Sequence, residues 1–459
     1  MDRPISFDPA LLGKYDQPAP RYVTYPRRAR FCEDVSAADY LQAAQASNED
    51  PIPKPLAAYI HVPICHQRCR HCTVDGIVMH ESDTTARYLT YLKREIALQG
   101  ALYDHDRPIE RLSIGGGTPT CLSDVQLADL LNTLHRHFGL EKGPSRDVSL
   151  QIDPLNIVPE RMATLAALGF NRLNFGVRAL DPRAQRAIDR SLGVDRLVEL
   201  VDAARRARFP TLGVDLVLGL PGQTPQGLSA ALTVLTELRP ERIGFYRHSQ
   251  AQPERLLASN TGLLSREAAL ALFGTGVMQL TAAGYVHLGM GQFAWPTDAL
   301  AVAQRNGKLL RDTEGYTAQA DADHVGLGAG AIGHVNGNYY QNALALPRYY
   351  ARLDAGILPV WRGFELGADD LLRQDVIRRL MGEGQVRFAD VERRHRIVFR
   401  NYFAPELAAL HPLAEDGLVE IQRGALLLTP TGHLLMNRIA MIFDSGLNEL
   451  QPRRLQMLR

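Results

Sequence analysis

The hydrophobic positions between residues 56 and 247 form short apolar runs, each followed by a longer stretch with helical periodicity. Short runs that are apolar throughout are typical of parallel strands buried on both faces. The predicted strands are LAAYIHV (56–62), RLSIGGG (111–117), VSLQID (148–153), RLNFGV (172–177), TLGVDLVLGL (211–220) and RIGFYR (242–247). Because strands alternate with helices, the pattern predicts an α/β fold, a partial parallel (β/α) barrel. Functional residues are then expected at the carboxyl ends of the strands.

Local signals mark the ends of several predicted helices. Ser123 is a candidate N-cap, with Gln126 at the reciprocal position of a capping box. Thr224, followed by a proline, is a second cap. Pro159 is expected in the first turn of the helix after the third strand, and Gly169 at its end.

The pattern divides the chain into four regions. Residues 1–50 are rich in Pro, Tyr and Arg, which predicts an irregular segment, either a disordered tail or a cover packed over a site. The β/α core spans 51–255. Gly-rich sequence within 256–360 predicts completion of the barrel and loops close to a ligand. Residues 361–459 predict a mostly helical C-terminal domain with a winged-helix-like hairpin, serving as a lid or for packing.

Composition narrows the classes of partner. The chain has 459 residues, and 51 Lys plus Arg oppose 50 Asp plus Glu. This balance favours neither a nucleic-acid nor a membrane partner. The first residues lack the apolar core of a signal peptide, and no apolar run reaches the length of about 18 residues that a transmembrane helix needs. Unpaired cysteines without an export signal predict a reducing, cytoplasmic location.

Three cysteines follow the first predicted strand in a C-x3-C-x2-C pattern: Cys65, Cys69 and Cys72. Zinc would need a fourth ligand, for which His66 or His71 is available. Iron–sulfur clusters are usually held by four thiolates. Three thiolates would leave one iron open to a substrate or cofactor, and this spacing resembles the signature of the radical S-adenosylmethionine (SAM) enzymes.

Other strand ends carry groups suited to a SAM-like ligand. The GGGTP loop (115–119) ends the second strand and allows close backbone approach. Asp215 lies within an apolar strand, where it either faces a ligand hydroxyl or forms a core ion pair. Arg178 and Arg190 follow the fourth strand, as carboxylate-binding groups or as surface residues.

The chain resembles the oxygen-independent coproporphyrinogen III oxidase family of radical SAM enzymes over nearly its whole length. The segments that carry the resemblance are KYDQPAPRYVTYP (14–26), YIHVPICHQRC (59–69), GGGTPT (115–120), DLVLGLPGQTP (215–225), LAVAQRNGKLLRDTEGYTAQ (300–319) and PLAEDGLVEIQ (412–422). The resemblance implies a radical SAM fold. It also implies oxidative decarboxylation of two propionates of coproporphyrinogen III to vinyl groups, giving protoporphyrinogen IX.

The resemblance also implies the cofactors and their contacts. Cys65, Cys69 and Cys72 would bind a 4Fe–4S cluster, and one or two SAM molecules would bind beside it. The implied cofactor contacts are Tyr59, His71, Gly116, Gly117, Thr118, Gln151, Arg178, Arg190, Asp215, Ser249 and Ile332. Tyr15, Arg21 and Tyr22 are candidates for contact with the substrate propionates. We expect Cys32 and Cys121 to be small, partly buried residues and not ligands.

Several positions depart from the family pattern. They are Val74 in place of a fourth Cys, His71 in place of an aromatic, Gln151 in place of Glu, Arg178 in place of Gln, and Gly291 and Gln292 in place of an acidic–His pair. Two alternatives therefore stand beside the oxidase. One is a diverged radical SAM enzyme that methylates or opens haem or another tetrapyrrole. The other is a non-catalytic haem-binding or haem-delivery protein.

The expected partners follow from the same resemblance. They are a tetrapyrrole substrate and an electron donor or acceptor, either a protein or a small molecule. We expect no nucleic acid and no membrane, and a monomeric chain.

Overall fold

The computed structural model describes residues 5–16, 22–65, 77–78, 82–141, 143, 146–247, 264–319 and 321–448. The chain divides into two compact units. The first unit comprises Met1–Arg30, Ser265–Gln319 and Leu366–Arg459. The second comprises Phe31–Leu264 and Ala320–Glu365.

The strands and helices alternate along much of the chain. The strands are β1 Leu56–Val62, β2 Ile64–Cys65, β3 Ile77–Val78, β4 Ile109–Gly116, β5 Asp147–Ile152, β6 Arg172–Arg178, β7 Thr211–Leu218, β8 Arg242–Arg247, β9 Val286–Gly289, β10 Gln292–Ala294, β11 Leu310–Arg311, β12 Tyr316–Thr317, β13 Asp323–Leu327, β14 Ile332–Val335, β15 Asn338–Asn342, β16 Val360–Phe364, β17 Gln385–Arg387, β18 Val419–Ile421 and β19 Ala425–Leu428.

The helices are α1 Pro9–Tyr15, α2 Ala37–Asn48, α3 Ser82–Gly100, α4 Asp124–Phe138, α5 Arg161–Ala167, α6 Pro182–Ala187, α7 Val194–Arg206, α8 Pro225–Leu238, α9 Arg266–Ala282, α10 Ala299–Arg305, α11 Leu346–Asp354, α12 Ala368–Glu383, α13 Phe388–His395, α14 Phe399–Tyr402, α15 Ala404–Glu415, α16 Met436–Met441 and α17 Ser445–Asn448. In the described ranges, no helix combines the length and the hydropathy needed to cross a bilayer.

The second unit is built on one large sheet with the order β16-β15-β14-β13-β1-β4-β5-β6-β7-β8. From β13 to β8 every neighbouring pair is parallel, whereas β13 to β16 pair antiparallel. Leu112, Leu150, Leu173 and Val214 are almost fully buried in successive parallel strands. The predicted partial parallel barrel is confirmed, and the antiparallel strands extend it beyond β13. The carboxyl ends of the parallel strands share one edge.

Most of the predicted helix ends are present. The Ser123 hydroxyl accepts from the backbone N–H of Gln126 at 3.2 Å, and the Gln126 amide oxygen accepts from Ser123 N at 2.8 Å. Thr224 caps α8, and Gly169 stands just beyond α5 with a φ of 99°. The position of Pro159 differs from the prediction, because α5 begins only at Arg161. The Pro159 carbonyl instead closes a preceding turn, accepting from Met162 N.

The first unit contains the predicted C-terminal helices and hairpin. β18 and β19 pair antiparallel, and β17 joins them in the order β17-β19-β18. Gly291, with a φ of 75°, occupies the turn between β9 and β10. A left-handed φ is costly for most side chains, so this position suits glycine.

The beginning of the chain is more regular than its composition predicts. Asp8 caps α1 with its side chain, and Ser36 with Asp39 forms a capping box for α2. Between these helices in the sequence, the side chains of Tyr22 and Tyr25 are only 2% and 1% exposed. The prediction of an irregular segment holds for the described residues 22–27 and fails for the two helices.

Candidate functional site

The first thiol of the cysteine motif lies against the glycine loop. Cys65 ends β2. The backbone of the GGGTP loop donates two hydrogen bonds to the strands before it, from Gly117 N to Val62 O at the end of β1 (2.8 Å) and from Thr118 N to Ile64 O in β2 (2.6 Å). A Cβ atom at Gly117 would lie 2.8 Å from the Cys65 sulfur and would overlap the Ile64 carbonyl. The loop can therefore reach the thiol only because position 117 has no side chain.

Side chains of β1 and β5 both approach Gly115, two residues before Gly117. A Cβ at Gly115 would lie 3.2 Å from both the Tyr59 hydroxyl and the Gln151 amide oxygen. The Tyr59 hydroxyl is also 3.3 Å from His61 Nδ1, and the His61 ring lies beside Gly116. Burial lowers the pKa of His61 to about 4, so a neutral imidazole faces this corner at pH 7.

Asp215 lies on β7 next to β6. Its carboxylate accepts a hydrogen bond from the Asn174 amide. Burial raises the pKa of Asp215 to about 6, and the positive charge of Arg178 and the Asn174 bond act in the opposite direction. The Arg178 guanidinium folds back over Gly176, and Arg178 itself has a φ of 70°. This strained backbone at the end of β6 is typical of residues held in place at functional sites. The Asp215 carboxylate is thus hydrogen-bonded by Asn174 and partly compensated by the charge of Arg178. Its contact with a ligand hydroxyl stays a prediction.

Arg190 forms an ion pair that was not predicted from the sequence. Its guanidinium contacts Asp153, just beyond β5, at 2.5 Å, and both side chains are 12% exposed. Burial acts to raise the pKa of Asp153, but the bonds from Arg190, Asn156 and Leu155 N leave it lowered. Arg190 is therefore oriented by Asp153 rather than lying loose on the surface.

Ile332 begins β14, directly after a glycine-rich turn. A Cβ at Gly326, on the neighbouring strand, would lie 2.6 Å from the Ile332 carbonyl carbon, so the two backbones are in close contact.

Five of the candidate site residues lie outside the described residues: Cys69, Cys72, His71, Ser249 and Arg21. Within the residues that are described, no group of three or more His, Cys, Asp or Glu side chains could hold a metal ion.

The two remaining cysteines occupy different surroundings. Cys121 ends a short 3-10 helix after the GGGTP loop. Burial, and secondarily the nearby Cys65, raises the pKa of the Cys121 thiol to about 12. That Cys121 is not a cluster ligand stays a prediction. Cys32 is exposed, contrary to the expectation of partial burial.

Two of the candidate substrate contacts, Tyr15 and Tyr22, interact with residues of their own unit. The Tyr15 hydroxyl bonds to the Asp416 carboxylate at 2.5 Å, beside Lys14. Tyr22 is 2% exposed. Burial, and then the neighbouring Asp444 carboxylate, raises its pKa well above the usual value. These surroundings favour a structural role for Tyr22.

The described part of the site fits the cofactors implied by the sequence. Cys65 offers its thiol at a strand end, and the glycines of β4 leave a backbone rim that a Cβ would fill. Tyr59 on β1, Gln151 on β5, Arg178 at the end of β6 and Asp215 on β7 add polar groups from the same parallel sheet. Backbone donors, polar side chains and a thiol are the groups that a cluster and a zwitterionic nucleoside require.

Comparison with known proteins agrees with this geometry. The radical SAM superfamily matches residues 59–235. The chain is 36% identical to the oxygen-independent coproporphyrinogen III oxidase of Salmonella typhimurium, over 98% of this chain and 97% of the relative. It is 35% identical to the protein of the same name from Escherichia coli K12, over 97% and 96%.

A solved structure is similar over the same extent. It is that of coproporphyrinogen III oxidase from Escherichia coli, described as a radical SAM enzyme. Its TM-score is 0.89 at 34% identity, covering 96% of this chain and 99% of that one. Similarity that covers both chains almost completely includes the N-terminal segment, the β/α core and the C-terminal region. This chain belongs to the oxygen-independent coproporphyrinogen III oxidase family.

Proposed function

We propose that the protein converts coproporphyrinogen III to protoporphyrinogen IX by oxidative decarboxylation of two propionate side chains, in oxygen-independent haem biosynthesis. The observation that carries the proposal is the place of the Cys65 thiol beside Gly117, where a Cβ would overlap it, in a chain similar to the named oxidases over 98% of its length. The 4Fe–4S cluster, when bound, supplies the electron that cleaves SAM reductively.

The protein's own residues would bind and orient these cofactors. Cys65, Cys69 and Cys72 are the proposed cluster ligands. For SAM, the glycine rim offers backbone groups, and Asp215 offers a carboxylate for a ribose hydroxyl. Arg190, held by Asp153, offers a guanidinium in a fixed orientation. Tyr59, Gln151, Arg178 and Ile332 complete the described part of the proposed SAM site.

Gln151 supports a second candidate function. Its neutral amide oxygen faces Gly115, where the family pattern has a carboxylate. A carboxylate would attract the SAM ammonium, whereas an amide cannot do so by charge. With Val74 in place of a cysteine, this favours a diverged enzyme that acts on another tetrapyrrole by a related radical reaction.

The deciding experiment is an anaerobic assay of the reconstituted protein with coproporphyrinogen III, SAM and a reductant. Protoporphyrinogen IX should form together with 5′-deoxyadenosine and methionine, and the matched Cys69→Ser protein should form none. SAM cleavage without decarboxylation would transfer support to the second candidate. Absence of both, with haem bound tightly, would support a haem-binding protein.

The electron partner, the location and the oligomeric state of the protein are proposed as well. We propose an electron donor or acceptor, a cytoplasmic location suited to an oxygen-sensitive cluster, and a monomer. Light scattering of the anaerobic protein at working concentration would test the last of these.

The proposed cover over the substrate rests on Arg21, since a guanidinium matches a propionate carboxylate. Removal of residues 1–28 would also delete Tyr25, whose hydroxyl bonds to Asp370 at 2.5 Å, and Arg27, which lies 3.4 Å from Asp444. Truncation would therefore damage the first unit. A point substitution of Arg21 is the cleaner test.

A further inference from the structure

A buried carboxylate, Glu95, lies beside the glycine-rich turn that follows β13. Glu95 is on α3 and has no solvent exposure. One of its oxygens, Oε2, accepts from the backbone N–H of Gly328 at 2.7 Å and from the Tyr349 hydroxyl at 2.6 Å. The other, Oε1, accepts from the Asn342 amide at 2.6 Å and from the Gln99 amide at 2.8 Å.

All four partners donate hydrogen bonds to Glu95, so both side-chain oxygens at this position must act as acceptors. An ionised carboxylate offers acceptors only, whereas a glutamine of the same shape would direct its N–H groups at other donors. Asn342 also bonds to the Gly328 carbonyl at 2.9 Å, and Gln99 bonds to the Gly326 carbonyl at 3.1 Å. The carboxylate is thus the centre of a network that holds the turn by its backbone.

The same helix ties this turn to the end of β1. The Tyr88 hydroxyl donates to the His61 carbonyl at 2.6 Å and accepts from Ala329 N at 3.1 Å. A Cβ at Gly328 would overlap the Tyr88 hydroxyl and lie 2.5 Å from the His61 carbonyl oxygen. The turn is pressed against β1 four residues before Cys65, and it leads into Ile332.

We propose that Glu95 is a positioning residue: its carboxylate fixes the 326–331 turn against the end of β1 and so places Ile332 for contact with SAM. The identity of the ligand rests on the proposed function. The anchoring of the turn rests on the hydrogen bonds alone.

Protonation of Glu95 offers a second way to test the network. Burial raises the pKa of Glu95 to about 7, against the effect of its four donors. The titratable groups that face it are Tyr88 from α3, Tyr349 from α11 and Tyr40 from α2, and the pKa of each tyrosine lies well above its usual value. The tyrosines therefore stay protonated. At pH 6 a protonated Glu95 must place its own hydrogen against a donor, and one of the four bonds is lost.

The test compares wild type, Glu95→Gln and Ile96→Val, all reconstituted anaerobically. Ile96, the next residue of α3, is fully buried, so Ile96→Val is a matched control for lost packing. Amide exchange of peptides covering 326–333 is measured without SAM. The SAM dissociation constant is then measured by equilibrium dialysis at pH 6 and pH 8.

We expect Glu95→Gln to speed exchange of the turn and to weaken SAM binding by about tenfold at pH 8, because buried donors lose their acceptor. Its iron content should equal that of wild type. Wild-type affinity should fall between pH 8 and pH 6, and the Glu95→Gln protein should show a smaller fall, because only Asp215, with its pKa of about 6, still titrates in the SAM site there. Ile96→Val should lower the melting temperature and leave SAM affinity unchanged.

Several results would overturn this assignment. If the Glu95→Gln protein has the same amide exchange of the turn and the same SAM affinity as wild type, Glu95 is an ordinary core residue. If amide exchange is faster but SAM affinity is unchanged, the positioning role is rejected. Should Glu95→Gln fail to fold, Tyr349→Phe removes one donor and must give a smaller change in the same direction. If wild type binds no SAM at all, the proposed function fails, and the exchange data still decide whether Glu95 anchors the turn.

Discussion

Replacing Asp215 by asparagine should stabilise the fold above pH 6 while weakening SAM binding. Burial raises the pKa of Asp215 from 3.8 to about 6. A carboxyl whose pKa is higher in the folded state opposes folding once it ionises. This loss of folding stability is absent well below pH 3.8, grows as the pH rises toward 6, and is constant well above pH 6. The shift of about two units corresponds to about 3 kcal/mol at pH 8. Asparagine keeps an acceptor for Asn174 and removes the charge.

The assay is thermal unfolding of the reconstituted protein without SAM, from pH 5 to pH 8. The stability advantage of Asp215→Asn should grow by about 1 kcal/mol between pH 5 and pH 7 and then level off. Asp153→Asn is a control of opposite sign, because the pKa of Asp153 is lowered in the fold. The Asp153 carboxylate stabilises the protein at high pH and loses that effect as the pH falls, so Asp153→Asn should be destabilising at pH 8.

Two results would refute this reasoning. A difference between wild type and Asp215→Asn that is the same at pH 5 and pH 8 would mean that the buried carboxyl does not titrate there. Unchanged SAM affinity in Asp215→Asn or Asp215→Ala, with cluster iron intact, would make Asp215 a structural partner of Arg178 and Asn174.

Three further predictions concern the cluster and the substrate. Cys69→Ser should lose the about four irons per chain expected of a 4Fe–4S protein, while Cys121→Ala should keep them; stoichiometric zinc without visible absorbance would contradict the cluster. Gly117→Ala should lower iron content sharply because its Cβ would lie 2.8 Å from the Cys65 sulfur, whereas Gly193→Ala, with no atom within 4 Å, should not. Arg21→Ala should still cleave SAM but lose decarboxylation, and a full rate of protoporphyrinogen formation would exclude Arg21 from substrate binding.

Local sequence signals were sufficient for most of the second unit. The apolar runs predicted six parallel strands, β1 and β4 to β8, and the Ser123–Gln126 box predicted the start of α4, because both depend on residues close in the chain. They did not predict β13, which pairs parallel with β1. The same kind of signal was present and missed at Ser36, whose partner Asp39 is three residues away. The abundance of Pro and Tyr in the first 50 residues outweighed it.

Features that depend on distant residues could not be predicted in this way. Glu95 lies in a helix, and its partners Gly328, Asn342 and Tyr349 come from more than 230 residues later. Arg190 was predicted as a ligand-binding or surface residue because nothing in its neighbourhood reveals Asp153. The sequence predicted the strands on which the described candidate site residues lie. It did not predict how charged side chains there are oriented and compensated.

The discontinuous first unit has a consequence for synthesis on the ribosome. Arg27 donates to the carbonyl of Gly446, a residue 419 positions later, so the buried N-terminal tyrosines have no complete core until the end of the chain emerges. The second unit needs residues only up to Glu365. We therefore expect the second unit, which carries the cysteine motif, to fold first on the nascent chain, while the N-terminal segment stays unfolded. Its aromatic residues are then exposed, and we expect chaperones to bind this state.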